Sequence, residues 1–353
     1  MPWRHSRANR RPLRRAGAVL FAILLAGSLP APAQAQPDAA SCQDVTIPVW
    51  LDALLPQLVH GTLCAPPQGA RTVQVLVPGA TYNNVYWDAA LAPETRSFRL
   101  AMNKAGYATL ALDRLGTGAS SKPPSALLTA FTEADVVHQV IQAIRHGDVG
   151  PRFDKVILGG HSLGSAITVL EAGTYHDVDG VLITGLAHHI NPPGALIIFG
   201  SFIPVALDPK LSRLGLDPTY LTTQPGTRYT AFHAPGPDVP EMTAYDEASK
   251  DVVAPGELLD AAALATVLPY SWRITVPVLV VLGGGDAGLC GPLATDCTSS
   301  EGLLRSEAPY YSAAARLRTY VLPGYGHSIN YAPNAPDYHR AVTQWAGTMG
   351  LSG

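Results

Sequence analysis

A serine becomes a nucleophile where its oxygen stands clear of the chain and a base can take its proton. Ser162 has the first property written into its neighbours. It lies at the centre of Gly160-His161-Ser162-Leu163-Gly164, after the apolar run Lys155-Val156-Ile157-Leu158-Gly159 and before Ser165 to Ala172, which has helical character. Strand, Gly-x-Ser-x-Gly, helix is the order that predicts a sharp turn with the serine in a strained backbone conformation. The glycines two before and two after it remove side chains that would clash in such a turn. The serine oxygen then sits at a helix N-terminus, where N–H groups and the helix dipole favour negative charge. The chemistry implied is nucleophilic attack, which needs a base and a group to orient that base. Eleven histidines are available. A chance match in a chain with 33 glycines is the competing reading, and the partners decide between them.

Holding such groups in place takes a rigid frame, and the remaining sequence has its pattern. Thr72 to Val77 is a β-branched run ended by Pro78-Gly79 and reads as a buried strand. Tyr107 to Leu112, Val178 to Leu186, Val276 to Leu282 and Arg318 to Leu322 read the same way, and Val45 to Leu51 with His60 to Leu63 reads as an opening hairpin. Ser97 to Ala105 and Asp337 to Met349 have helical character. In Phe131 to His146, Val136, Val137, Val140, Ile141 and Ile144 recur at helical spacing, with Thr132 as N-cap. Short apolar strands alternating with helices predict an α/β fold: a mainly parallel sheet covered by helices on both faces. Residues 188–270 break the rhythm. That stretch is rich in Pro, Gly, Tyr and small polar residues and too long for a plain loop, so a cap inserted over the active site is expected there.

Composition bounds the rest. The chain has 353 residues, 47% hydrophobic and 14% charged, as expected of a globular protein. Residues 1–35 combine six arginines, the apolar run Ala16 to Leu29 and the small-x-small site Ala33-Gln34-Ala35, the order of a secretory signal peptide that would leave Gln36 first. A membrane anchor is the competing reading, but the apolar run is shorter than the ~20 residues a span requires. Arg10-Arg11 resembles a twin-arginine signal and Pro12-Leu13-Arg14 does not, so the export route stays open. Loss of those six arginines takes the formal charge from −3 to −9. An acidic mature chain argues against nucleic acid or anionic membrane as a partner, and no stable membrane span is expected in it. Four cysteines in an exported protein suggest disulfides. Sequence proximity favours Cys42–Cys64 and Cys290–Cys297 among the three pairings. A metal site on these cysteines is disfavoured because Cys-x-x-Cys spacing is absent.

Four markers in order resemble those of the α/β-hydrolase superfamily, secreted serine esterases and lipases included, from about Thr72 to the C-terminus. They are Asp113-Arg114-Leu115-Gly116-Thr117-Gly118-Ala119-Ser120, the turn at Ser162, Gly283-Gly284-Gly285-Asp286, and Pro323-Gly324-Tyr325-Gly326-His327, each after a predicted strand. The resemblance implies a triad of Ser162, Asp286 and His327, with His327 as base and later acid. It implies an oxyanion hole made by the backbone N–H groups of Leu163 and Ala80. The chain departs from many relatives in having Pro78-Gly79 where they have His-Gly, which puts that loop's supporting hydrogen bonds in question. Asp296 is the runner-up acid, and Asp113 reads as a structural hydrogen-bonding residue. Tyr82, His161 and His188 are candidates for the substrate pocket. His161 points away from the serine's chemistry, and His188 and His189 follow a strand end near the cap mouth.

The leading function is a secreted or envelope serine hydrolase cleaving carboxylic esters through an acyl-enzyme, with no cofactor and no metal expected. Ala195-Leu196-Ile197-Ile198-Phe199, Phe202, Ile203 and Val205 could wall an acyl pocket, which favours a small apolar or aromatic ester. An acyltransferase, lactonase, peptidase or cofactor-free haloperoxidase would use the same triad. A serine counts against the dehalogenases and most epoxide hydrolases of this fold, which use aspartate. A non-catalytic binding protein, or an envelope interaction protein retaining the fold passively, is the alternative of another class.

Overall fold

The computed structural model of the chain describes residues 40–266 and 270–350. The leader expected over residues 1–35 and the new N-terminus at Gln36 lie outside the described residues.

Strands β1 (Ser41–Leu51) and β2 (Leu55–Ala65) form an antiparallel hairpin, longer than the two short runs expected. Cys42 stands directly opposite Cys64 in that ladder and is disulfide-bonded to it. Then come β3 (Thr72–Val77), α1 (Pro93–Arg96), α2 (Phe98–Lys104), β4 (Ala108–Leu112), α3 (Ala130–His146), β5 (Lys155–His161), α4 (Leu163–Tyr175) and β6 (Gly180–Thr184). A long excursion follows, carrying α5 (Pro192–Gly200), β7 (Phe202–Pro204), β8 (Leu221–Thr223), α6 (Pro240–Ser249) and α7 (Pro255–Thr266). The chain returns with β9 (Val278–Gly283), α8 (Ser300–Glu307), β10 (Arg318–Leu322) and α9 (Ala335–Gly347).

Eight strands make one sheet in the order β1-β2-β4-β3-β5-β6-β9-β10, parallel from β4 to β10 and antiparallel at the hairpin edge. Strand side chains alternate between the two faces. Val156 and Leu158 of β5 join a core with Val140 and Ile141 of α3 and Ile167 and Leu170 of α4, whereas Ile157 joins the opposite core with Met102 of α2 and Val342 and Trp345 of α9. Burial on both faces explains why these strands read as continuous apolar runs. Helix α3 begins at Ala130, and Thr129, not Thr132, is its N-cap. Thr129 Oγ1 accepts the Thr132 N–H at 3.1 Å while Thr132 Oγ1 accepts the Thr129 N–H at 3.0 Å. Among the described residues no helix is long and apolar enough to cross a membrane.

Candidate active site

Parallel strands leave their C-terminal ends on one edge of the sheet, and the loops there carry the chemistry-bearing residues. Ser162 connects β5 to α4 at φ 53° and ψ −118°, a conformation non-glycine residues rarely adopt. The turn is held by the Ser162 N–H donating to the Thr184 carbonyl at 2.7 Å and by the Ser165 and Ala166 N–H groups donating to the Ser162 carbonyl. Both flanking glycines are required by space. A Cβ on Gly160 would lie 2.3 Å from the Gly164 carbonyl oxygen, and one on Gly164 would lie 2.2 Å from that of Val77.

Asp286, in the loop after β9, is fully buried. Its Oδ1 accepts the Gly288 N–H at 3.0 Å, and its Oδ2 lies 2.7 Å from Nδ1 of His327, which follows β10. A carboxylate so placed holds the imidazole with Nδ1 protonated and leaves Nε2 able to accept a proton. The Asp286 N–H donates to the Gly283 carbonyl, and the Cys290 N–H donates to the Asp286 carbonyl at 2.8 Å. Cys290 is disulfide-bonded to Cys297, so the bridge restrains the loop that carries Asp286.

His327 and Ser162 line one cavity of about 100 Å³, together with Ala80, Leu163 and Tyr82. Its wall is otherwise apolar. Ala195, Ile198, Phe199 and Phe202 from α5 and β7, Phe232, and Leu258 and Ala261 from α7 come from the excursion between β6 and β9. Of the apolar stretch expected to build this wall, Leu196 and Ile197 instead turn outward, 73% and 48% exposed, and Ile203 and Val205 are outside the lining.

His161 and His188, expected at the pocket, are not among its lining residues. His161 is fully buried under the turn, stacked on Tyr86 with ring centroids 4.2 Å apart and its Nδ1 3.1 Å from Thr184 Oγ1. Burial, and then the neighbouring His327, keep its pKa well below the ordinary histidine value. His188 is captured by Glu307 of α8, with Nδ1 2.7 Å from Oε2, and its Nε2 lies 2.9 Å from Ser271 Oγ. Asp296 is 40% exposed at its side chain and bonds locally to Thr298 and Arg305. Asp113 accepts N–H groups from Asn84 and Ala119, both at 2.9 Å, and orders the loop after β4.

Three supports have no counterpart among the expectations. Arg114, buried and paired with Glu257, donates from Nε to the Pro78 carbonyl at 3.1 Å and from Nη2 to the Gly79 carbonyl at 3.2 Å. It thereby supplies hydrogen bonds to the loop whose usual histidine is missing. Its place in the Asp113 to Ser120 motif was the signal available. Arg228 and Asp246, both fully buried, form the other two. Arg228 Nη2 donates to Asp246 Oδ1 at 2.7 Å, and Nη1 donates to Thr81 Oγ1 at 3.0 Å. Asp246 Oδ2 lies 2.8 Å from His233 Nε2 and accepts the Tyr82 hydroxyl at 3.3 Å. Tyr82 also bonds Ser328 Oγ at 2.7 Å, and the Phe232 and His233 carbonyls accept the Ser328 and Gly326 N–H groups. The loop bearing Ala80 and the loop bearing His327 are thus tied to one buried ion pair.

Comparison with known proteins agrees with this architecture. A search of curated proteins gives no match. Among solved structures, an esterase from Exiguobacterium antarcticum superposes with a TM-score of 0.59 at 16% identity, covering 86% of this chain and 100% of that one. A thermophilic esterase from Thermogutta terrifontis gives 0.55 at 18% identity, covering 87% and 99%. A putative aryl esterase from Burkholderia cenocepacia gives 0.56 at 16% identity, covering 87% and 99%. At these identities the likeness speaks to fold. The sequence model of the alpha/beta hydrolase family matches residues 74–336, most of the chain and every loop just described, and the protein therefore belongs to that family.

Proposed function

We propose that the protein is a serine esterase acting on small carboxylic esters. Ser162 Oγ attacks the ester carbonyl as His327 takes its proton. The negative tetrahedral oxygen is held by the N–H groups of Ala80 and Leu163, each donor worth about 3–4 kcal/mol in such sites. His327 returns the proton to the departing alkoxide and leaves an acyl-enzyme. Water, deprotonated by the same imidazole, then releases the acid and restores the Ser162 hydroxyl. Asp286 stabilises the imidazolium in both halves.

The single observation carrying this reading is convergence. A strained serine at a helix N-terminus and an imidazole bonded to a buried carboxylate open on one apolar cavity. The esterase neighbours are consistent with it. At about 100 Å³ the cavity is smaller than the apolar cavity of about 150 Å³ that takes up benzene, which supports a short acyl group. The excursion over residues 188–270, which supplies half of the residues lining the cavity, is read as a cap. Two disulfides fit an oxidising compartment and hence an exported protein.

The test is covalent labelling by a fluorophosphonate together with hydrolysis of p-nitrophenyl esters from acetate to dodecanoate, with an anilide as the amide control. Wild type is expected to label, to prefer short acyl groups over dodecanoate by at least tenfold, and to leave the anilide nearly untouched. Ser162→Ala is expected to lose both labelling and turnover while remaining folded. Near-normal ester hydrolysis by Ser162→Ala would remove the assignment.

A further inference from the structure

Helix α4 carries a carboxylate for which the proposed reaction has no use. Glu171 is fully buried, and as a carboxylate neither of its oxygens has a hydrogen-bond donor. A buried charge in that state is normally paired or bound to a metal.

Two other ligand-type side chains converge on it. His138 comes from α3, and Asp177 lies between α4 and β6. One ligand atom from each of the three lies within 4.8 Å of the other two. His138 Nδ1 is 2.9 Å from Asp177 Oδ2 and 3.9 Å from Glu171 Oε1. Ligands bound about 2.0–2.2 Å from a tetrahedral zinc ion stand roughly 3.3 Å apart, inside that interval. The remaining Asp177 oxygen, Oδ1, is also buried without a partner.

The surroundings orient these groups as an outer shell does. Tyr175 stacks on the His138 ring, with centroids 3.7 Å apart and planes 10° from parallel. Gln142 donates to Asp177 Oδ2, and Arg145 donates to the Asp177 carbonyl oxygen. The Arg145 charge is itself paired with Asp179 at 2.9 Å. One imidazole with two carboxylates is a donor set for zinc. Calcium prefers six to eight oxygens.

We propose that His138, Glu171 and Asp177 bind one zinc-type divalent ion, with water completing the coordination on the half-exposed side of His138. The ion would staple α3 to the far end of α4, the helix whose first turn presents Ser162. Its role is structural, and it is independent of the esterase reading.

The experiment uses the full disulfide-bonded protein, stripped with a chelator and titrated with zinc chloride by calorimetry, with thermal unfolding followed in parallel. One equivalent is expected to bind, and Tm should rise by a few degrees with zinc concentration, as for any ligand that binds only the folded state. His138→Ala should weaken binding by at least about tenfold. Glu171→Gln, which keeps the side chain's shape and removes its charge, should weaken it equally. Calcium chloride should give no comparable shift. Absence of saturable zinc binding would overturn the proposal. So would wild-type affinity in Glu171→Gln, which would make Glu171 a buried acid sharing a proton with Asp177 and any bound zinc a surface adventitious ion.

Discussion

Two aspartate–histidine pairs stand at the same end of the sheet in different surroundings. Asp286 and His327 are 2.7 Å apart, Asp246 and His233 are 2.8 Å apart, and both aspartates are fully buried. They differ in what else each member meets. Asp286 faces an imidazole and a backbone N–H. Asp246 already has Arg228 at 2.7 Å. Its histidine is closed off on the other side, where His233 Nδ1 lies 2.9 Å from the Tyr325 hydroxyl. His327 borders the cavity beside Ser162. One pair opens on the cavity. The other is closed in by Arg228 and Tyr325, and its geometry suits a fixed tie between two loops.

The sharpest way to break the comparison is Asp286→Asn. The amide keeps the size but loses the charge that orients the imidazole and stabilises its protonated form. The expected result is a fall in kcat of roughly 10⁴-fold, with KM little changed and an intact fold, as when this role is removed in related triads. Hydrolysis of a p-nitrophenyl ester at pH 7–8 measures it. Retention of kcat within tenfold would take Asp286 out of the reaction.

Asp246→Asn should act on stability first. It leaves the Arg228 guanidinium buried without its counter-charge, a change that typically costs about 3–5 kcal/mol. The pH dependence fixes the mechanism. Burial tends to raise the Asp246 pKa, but Arg228 and then His233 outweigh it and hold the group below its ordinary value. Its ion-pair stabilisation is therefore complete above the unfolded pKa of about 3.9 and is lost as pH falls through the lower folded value. Urea unfolding should show the full deficit of the variant at pH 7 and a shrinking one below about pH 4. A deficit unchanged by acid would mean that packing, not charge, holds the two loops.

His161 sharpens the contrast from a third side. It lies beside His327, ring centroids 4.9 Å apart, yet burial keeps it neutral. The unfolded chain binds a proton at this histidine below about pH 6.5, while the folded chain does not until much lower pH. Wild type should accordingly lose stability on account of this residue as pH falls below about 6.5. In His161→Gln that part of the slope should vanish, whatever the variant costs at pH 7. An identical slope in both proteins would show that His161 titrates normally.

How much of this was legible in the sequence follows from how local each signal is. The turn at Ser162 was readable because a Cβ at either glycine collides with backbone, so the requirement is written within five residues. Asp286 and His327 were readable because each follows its strand directly. The cavity wall was half readable. Ala195, Ile198 and Phe199 recur at helical spacing in α5, which separates them from outward-facing Leu196 and Ile197, whereas Phe202 reaches the wall from β7. Arg228 and Asp246 gave no such sign, since Arg228 reaches Thr81 across 147 residues and Tyr82 reaches Asp246 across 164. His188 was misjudged for the same reason, its partner Glu307 lying 119 residues further on.

The smallest expected effect belongs to Asp296, the other carboxylate near the Cys290–Cys297 bridge and the rival of Asp286 for the acid's role. Its bonds are local: the Thr298 N–H at 3.0 Å, the Thr298 hydroxyl at 2.6 Å and a long contact to Arg305 at 3.3 Å. The Thr298 hydrogen bonds hold its carboxyl below the ordinary aspartate value. A depressed carboxylate at the surface is screened by water and adds little to stability. Asp296→Asn keeps an oxygen for the Thr298 donors and gives up only an exposed charge. Its kcat/KM should stay within about twofold of wild type from pH 5 to 9, and its Tm within about 2 °C, as for ordinary surface substitutions. Measured beside Asp286→Asn, it asks which carboxylate serves His327. If Asp296→Asn were the inactive protein and Asp286→Asn the active one, the 2.7 Å contact would be structural, and neither aspartate–histidine pair compared above would be the one that moves a proton.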